Sequence, residues 1–188
     1  GPDGAEAAPF DPDFRLEDLS PAALERALQE IWLQGHLLVH SFLLAVADRW
    51  GDDVTREVGV QQFTGIAAVV ATRLARAFDL DVMGVLELHP AFLPGAYVSR
   101  QIDGTRFSLD DCPALDEHHG FSWPALLRED SRPLQALVQA VEPRARIEPA
   151  GALAWDVVVD PGAPPAKEPD EVTLTRFSTG ADFTFAVR

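Results

Sequence analysis

The sequence has one cysteine, Cys112, and one lysine, Lys167, among its 188 residues. A single thiol cannot form an intramolecular disulfide, so cysteine usage gives no sign of an oxidising compartment. The first residues also lack the basic segment followed by an apolar segment that is typical of a signal peptide. We therefore expect a cytoplasmic protein.

Positive charge is scarce as well, because 15 Lys and Arg residues face 30 Asp and Glu residues, for a formal net charge of −15. Proteins that bind nucleic-acid backbones need clustered cations, and anionic membrane surfaces attract cations too. We expect neither a nucleic-acid partner nor a membrane partner. The preference for arginine over lysine is typical of a GC-rich bacterial genome.

Hydrophobic residues make up 47% of the chain, which is enough for a sizeable core, and the length suits one domain. Residues 1–15 are small, acidic and rich in proline, so we predict an extended N-terminal arm. Residues 16–188 would then form a single domain. The sequence contains no glycine-rich phosphate loop, GxSxG elbow or HExxH motif.

The longest periodic segment runs from Ser20 to Trp50. Ser20 suits a helix N-cap, Pro21 suits the first turn, and Gly51 suits the position after the helix. Between Leu37 and Ala47 almost no polar face remains, and a helix that is apolar on all sides is normally buried. We therefore predict that this is the central, buried helix of the domain.

Two histidines, His36 and His40, lie four residues apart in this helix and so project from the same face. That spacing is compatible with a metal or haem ligand pair, and equally with two core histidines bonded to backbone or carboxylate groups. The apolar stretch from Ile31 to Ala47 contains both histidines and is short for a membrane span. A soluble core helix is the better interpretation.

The rest of the chain predicts a helix that Asp52 or Asp53 caps and that runs to about Phe78, a β-hairpin around Asp103-Gly104, and a helix between Ser122 and Pro143 that Pro133 interrupts. Strands are expected at 145–148, 152–159, 171–177 and 182–187. The fold class is therefore α+β: an N-terminal helical hairpin with a long buried helix packed on a mainly antiparallel sheet, and one further helix in mid-chain.

Several residues could carry chemistry. Cys112 would need a nearby histidine to act as a nucleophile, and His118 and His119 follow it in a polar loop that also suits general acid–base catalysis. The alternatives are a small residue at a strand end for Cys112 and a solvated loop for the two histidines. A zinc site from these residues with His36 or His40 is conceivable, but the sequence requires no cofactor.

Arg176 and Asp182 flank the last expected turn. They could form a cross-strand ion pair, or Arg176 could bind a substrate carboxylate while Asp182 acts as a base. Trp32 and Phe42 could line an apolar pocket or pack in the core.

Short patches between Leu16 and Phe185 resemble a bacterial family. They are LEDLSPAALERAL, ADRWG and TRLARAFDL, the pair Cys112-Pro113, and the ending formed by Arg176, Thr179, Gly180, Asp182, Phe183 and Phe185. These patches are similar to the L-2-amino-thiazoline-4-carboxylic acid hydrolases. The resemblance implies a small α+β domain and hydrolytic opening of a cyclic C=N substrate. Further cysteines of that family's pattern are replaced here, near Trp123 and Ala181.

Three functions are compatible with these features. The first is a hydrolase for a small organic, possibly carboxylate-bearing, substrate. The second is a non-catalytic domain that binds an apolar small molecule or a partner segment. The third is a metal- or haem-binding protein that uses His36 and His40. A homo-oligomer is possible in each case.

Overall fold

The protein has an α+β fold in which helices outnumber strands. A computed structural model describes residues 15–116 and 120–179, with side chains up to residue 176. The helices are α1 (Pro21–Trp50), α2 (Asp52–Phe78), α3 (Val82–Leu88), α4 (Trp123–Leu126), α5 (Arg132–Val141) and α6 (Asp170–Thr179), and the strands are β1 (Arg100–Asp103), β2 (Arg106–Leu109), β3 (Ala145–Gly151) and β4 (Ala154–Val159). Residues 1–14 of the predicted arm lie outside the described part.

The four strands form one antiparallel sheet in the order β1-β2-β4-β3. The predicted hairpin is confirmed: Asp103 pairs with Arg106, and Gly104 takes the positive φ of 60° that the two-residue turn needs. Phe107 of β2 is fully buried and its ring lies 6.2 Å from that of its pairing partner Trp155. This apolar face joins the sheet to the helices in one hydrophobic cluster.

The N-terminal hairpin is confirmed, but the buried helix is α2 and not α1. Helix α2 contributes ten buried residues, whereas α1 contributes only Leu43 and Val46. The difference arises from side-chain size, because small residues along α2 allow neighbours to approach from several sides. A Cβ at Gly59 would lie 2.7 Å from Leu126, and a Cβ at Gly65 would lie 2.7 Å from the backbone oxygen of Glu171.

The predicted strand at 171–177 is wrong, because these residues belong to helix α6. The β-branched residues Val172, Thr173 and Thr175 favour a strand by propensity alone. Tertiary packing overrides that preference: Val172 is buried against Ala68 and Val69 of α2. Acidic residues in the first turn of α6 also favour a helix start. The expected partner strand at 182–187 lies outside the described residues.

Candidate ligand-binding site

An apolar cavity of about 410 Å³ lies between the middle of α1, the segment from Pro90 to Ala96, and the start of α4. This volume is within the range of small-molecule sites in proteins. Its walls are formed by Ile31, Trp32, Gly35, His36, Leu38, Val39, Pro90, Ala91, Ala96, Trp123 and Pro124. His36 is the only ionisable residue among these lining residues.

Glycine at position 95 brings the two long walls of the cavity together. A Cβ there would lie 2.9 Å from Trp32 and 3.3 Å from the backbone of Gln29, so only glycine permits this approach of the 94–96 turn to α1. On the opposite wall, a Cβ at Gly35 would meet no atom within 4 Å. Gly95 therefore closes the cavity at one end, whereas Gly35 leaves the α1 wall of the cavity open.

The α4 wall is fixed by ring stacking and by a helix cap. The indole of Trp123 stacks on Phe63 of α2, with the ring centroids 4.9 Å apart and the planes at 4°. The Ser122 hydroxyl accepts from the backbone N–H of Ala125 and donates to the backbone oxygen of Ala114. Trp123 is therefore held in one orientation, with Trp32 on the facing wall.

The two histidines of α1 contact each other but line different concave surfaces. Their rings are parallel within 6°, with centroids 6.5 Å apart, and the ring of Tyr97 meets His36 edge-on at 6.2 Å. His36 lines the cavity, whereas His40 lines a neighbouring groove on α1 together with Leu37 and Ser41. The structure thus places one histidine of the pair in the cavity.

His89 precedes Pro90 of the cavity wall and is fully buried, and no local motif marks it as a site residue. Its Nδ1 accepts from the backbone N–H of Ala91 at 3.2 Å. Burial lowers the pKa of His89 to about 4, and the nearby backbone of Ala67 opposes this only in part. The ring is therefore neutral at pH 7 and anchors the residue that follows Pro90 in the wall.

The other predicted site residues do not gather at this cavity. Trp32 lines it, but Phe42 is exposed on the surface of α1, and Cys112 is buried in the main hydrophobic cluster. Arg176 lies on α6, where its guanidinium binds both carboxylate oxygens of Glu168 at 2.8 and 2.7 Å. The predicted partners His118, His119 and Asp182 lie outside the described residues. The expected cross-strand position of Arg176 is wrong, because the residue is helical.

Within residues 15–116 and 120–179, no group of three His, Cys, Asp or Glu residues could hold a metal ion.

By length and composition, α1 is the one described helix that could cross a membrane, and 11% of its most apolar segment is buried. The prediction that this segment is a core helix is therefore wrong for most of its length.

Comparison with protein-family models, with curated proteins and with solved structures finds no match to this chain. The resemblance to the thiazoline-carboxylate hydrolases accordingly stays a prediction from the sequence.

Proposed function

We propose that this domain binds a small, mainly apolar organic molecule in the cavity between α1, Pro90–Ala96 and α4. The observation that carries the proposal is the composition of the walls, which are aliphatic and aromatic apart from the His36 imidazole. Apolar walls with a few polar groups are the usual composition of a small-molecule site. The indoles of Trp32 and Trp123 suit a planar ligand, which gains from stacking as well as from burial.

His36 would give the site its polar specificity. An imidazole can form a hydrogen bond with one polar group of a ligand, so it suits a ligand with a single hydroxyl or carboxyl group. Tyr97 meets the ring edge-on, which restricts its orientation. A ligand with an apolar body and one polar group therefore matches the cavity better than a highly charged metabolite does.

Binding is favoured over hydrolysis because the described reactive groups are apart. The Cys112 thiol lies in the core cluster, and the Arg176 guanidinium is held by Glu168 on α6. Hydrolysis needs a nucleophile or activated water beside a base and a charge-stabilising group. The hydrolase hypothesis now depends on His36 in the cavity and on His118, His119 and Asp182 outside the described residues. Assays of cyclic C=N substrates with His118 and His119 changed to alanine would test it.

The binding proposal is tested with N-phenyl-1-naphthylamine, an uncharged fluorescent probe. We expect saturable binding with one probe per chain, together with quenching of tryptophan fluorescence from Trp32 and Trp123. Val39→Phe places extra volume in the cavity and should weaken binding by at least about tenfold, which corresponds to about 1.4 kcal/mol. Leu37→Phe adds a similar ring on the other face of α1 and should leave the affinity unchanged.

The role of His36 is tested with two ligands of one shape, naphthalene and 1-naphthol. We expect the protein to prefer 1-naphthol by about fivefold, since one net hydrogen bond is worth about 1 kcal/mol. His36→Leu should abolish this preference while naphthalene still binds. If Val39→Phe and Leu37→Phe weakened the binding of both ligands to the same extent, the cavity would be rejected as the site.

A further inference from the structure

Gly35 lies in the middle of α1, and the packing of the protein does not explain why a glycine is present there. Glycine destabilises the interior of a helix relative to alanine, because its backbone loses more entropy on folding. A glycine is normally explained by a positive φ or by a neighbour that leaves no room for a side chain. Gly35 is helical, and a Cβ there would meet no atom within 4 Å.

Among the glycines within residues 15–116 and 120–179, only Gly35 lacks both explanations. Gly51, Gly104 and Gly120 have positive φ angles of 85°, 60° and 64°. A Cβ at any of the remaining glycines would have at least one atom within 3.4 Å. The space beside Gly35 is therefore not occupied by the described part of the chain itself.

This space belongs to the apolar cavity. Gly35 lines the cavity together with Ile31 and Val39, which lie four residues before and after it. Positions four apart form one row along a helix, so the middle side chain of this row is missing. At a rise of 1.5 Å per residue, Ile31 and Val39 are about 12 Å apart along the axis of α1. The row thus contains a notch at Gly35, and Trp32 and His36 line the cavity in the adjacent row.

The volume of the cavity indicates the size of molecule that would use this notch. A dry apolar cavity of about 150 Å³ can hold one benzene molecule. The cavity of about 410 Å³ therefore has room for about two fused aromatic rings and a small polar substituent. The indoles of Trp32 and Trp123 favour rings over a flexible alkyl chain, because stacking adds to the gain from burial.

We propose that the ligand is a fused two-ring aromatic molecule with one polar substituent, and that Gly35 is the residue that admits its second ring. This inference rests on the proposed function, since it concerns the same cavity. A side chain at position 35 would fill the notch and leave room for one ring only. Gly35 therefore determines the size of the ligand, whereas His36 binds its polar substituent.

The experiment is isothermal titration calorimetry of the full chain with phenol and with 1-naphthol, which carry the same hydroxyl and differ by one fused ring. The wild type should bind 1-naphthol about tenfold more tightly, because the second ring buries more apolar surface. Gly35→Leu should weaken the binding of 1-naphthol by about tenfold and change that of phenol by less than about twofold. Gly35→Ala, which adds one methyl group, should give an intermediate loss.

Gln34→Leu is the matched control, because Gln34 is adjacent to Gly35 but lines the neighbouring groove and not the cavity. This variant should leave both affinities unchanged. Both variants of Gly35 should fold, because a Cβ there meets nothing and alanine and leucine have higher helix propensities than glycine. Circular dichroism at 222 nm checks the helix content of each variant before titration.

The outcomes separate this inference from the proposed function. If the wild type binds 1-naphthol and Gly35→Leu binds it equally tightly, the second ring does not enter the notch, and only the inference is overturned. Equal weakening of phenol and 1-naphthol by Gly35→Leu would overturn it too, because position 35 would then not select for size. If the wild type binds neither ligand, or if Val39→Phe leaves the binding of 1-naphthol unchanged, the proposed function fails as well.

Discussion

At the scale of single residues, the protonation state of His89 affects both the buried core and the position of the cavity wall. The ring is fully buried, and its Nδ1 accepts the backbone N–H of Ala91, a residue of the cavity wall. Only the neutral ring can accept this hydrogen bond. Protonation would break it and place a charge in an apolar environment.

We therefore predict that the fold loses stability as the pH falls from about 6.5 to about 4. The folded pKa of His89 lies near 4 and the ordinary value is 6.5, so the unfolded chain binds more protons in this interval. The contribution of neutral His89 to the free energy of unfolding is complete above pH 6.5 and is lost as the pH approaches 4. It amounts to about 3 kcal/mol, from 1.36 kcal/mol per pKa unit.

Urea unfolding of the wild type and of His89→Asn at several pH values measures this effect. Asparagine can accept the Ala91 N–H as a cap but does not titrate. The variant should be less stable at pH 7, because it loses ring packing. The difference between the two proteins should narrow towards pH 4. Parallel pH profiles would show that His89 does not titrate in this range.

The sequence alone could suggest His36 as a site residue but could not distinguish its role from that of His40. Spacing placed His36 and His40 on one face, and their stacked rings agree with that. Which of them lines the cavity depends on where the 90–96 segment crosses α1, and that crossing depends on the missing side chain of Gly95. The contact joins residues far apart in sequence, so no local pattern contains it.

At the scale of elements, the sequence predicted helix bounds well and helix environments poorly. Caps and periodicity are local, and accordingly Ser20 caps α1 and α2 ends at Phe78 as expected, although the N-cap of α2 is Gly51 and not Asp52 or Asp53. Burial is not local. A helix rich in large apolar residues, α1, lies at the surface, whereas α2, rich in small residues, lies at the centre because α4, α5 and α6 can pack closely against it.

This packing predicts opposite effects for two glycines in long helices. Gly65→Ala should destabilise the protein by about 1–3 kcal/mol, because its Cβ would lie 2.0 Å from the Thr175 hydroxyl and 2.7 Å from the backbone oxygen of Glu171. Gly35→Ala should stabilise the chain by up to about 1 kcal/mol, since alanine has the higher helix propensity and its Cβ meets nothing.

Thermal and urea unfolding of the two variants provide the comparison. Circular dichroism at 222 nm should show full helix content for Gly35→Ala. For Gly65→Ala, limited proteolysis should cut first near α6, because that helix must move to accept the new methyl group. Equal stability of the two variants would argue against the close contact between α2 and α6.

At the scale of the whole molecule, α1 is one wall of the apolar cavity and also an exposed helix. Trp32, Gly35 and His36 line the cavity, whereas Leu37 and Phe42 are exposed outside it. Leu43 and Val46 hold its C-terminal half to the core. The apolar composition that predicted a buried helix therefore reflects, in this account, a ligand site along the middle of α1.

The most direct test of the account is to locate a bound apolar molecule by anomalous diffraction from crystals grown with 1-bromonaphthalene. The account predicts a bromine peak between the indoles of Trp32 and Trp123, within the cavity that His36 lines. Well-ordered crystals with a peak elsewhere, or with no peak in the cavity at saturating ligand, would contradict it.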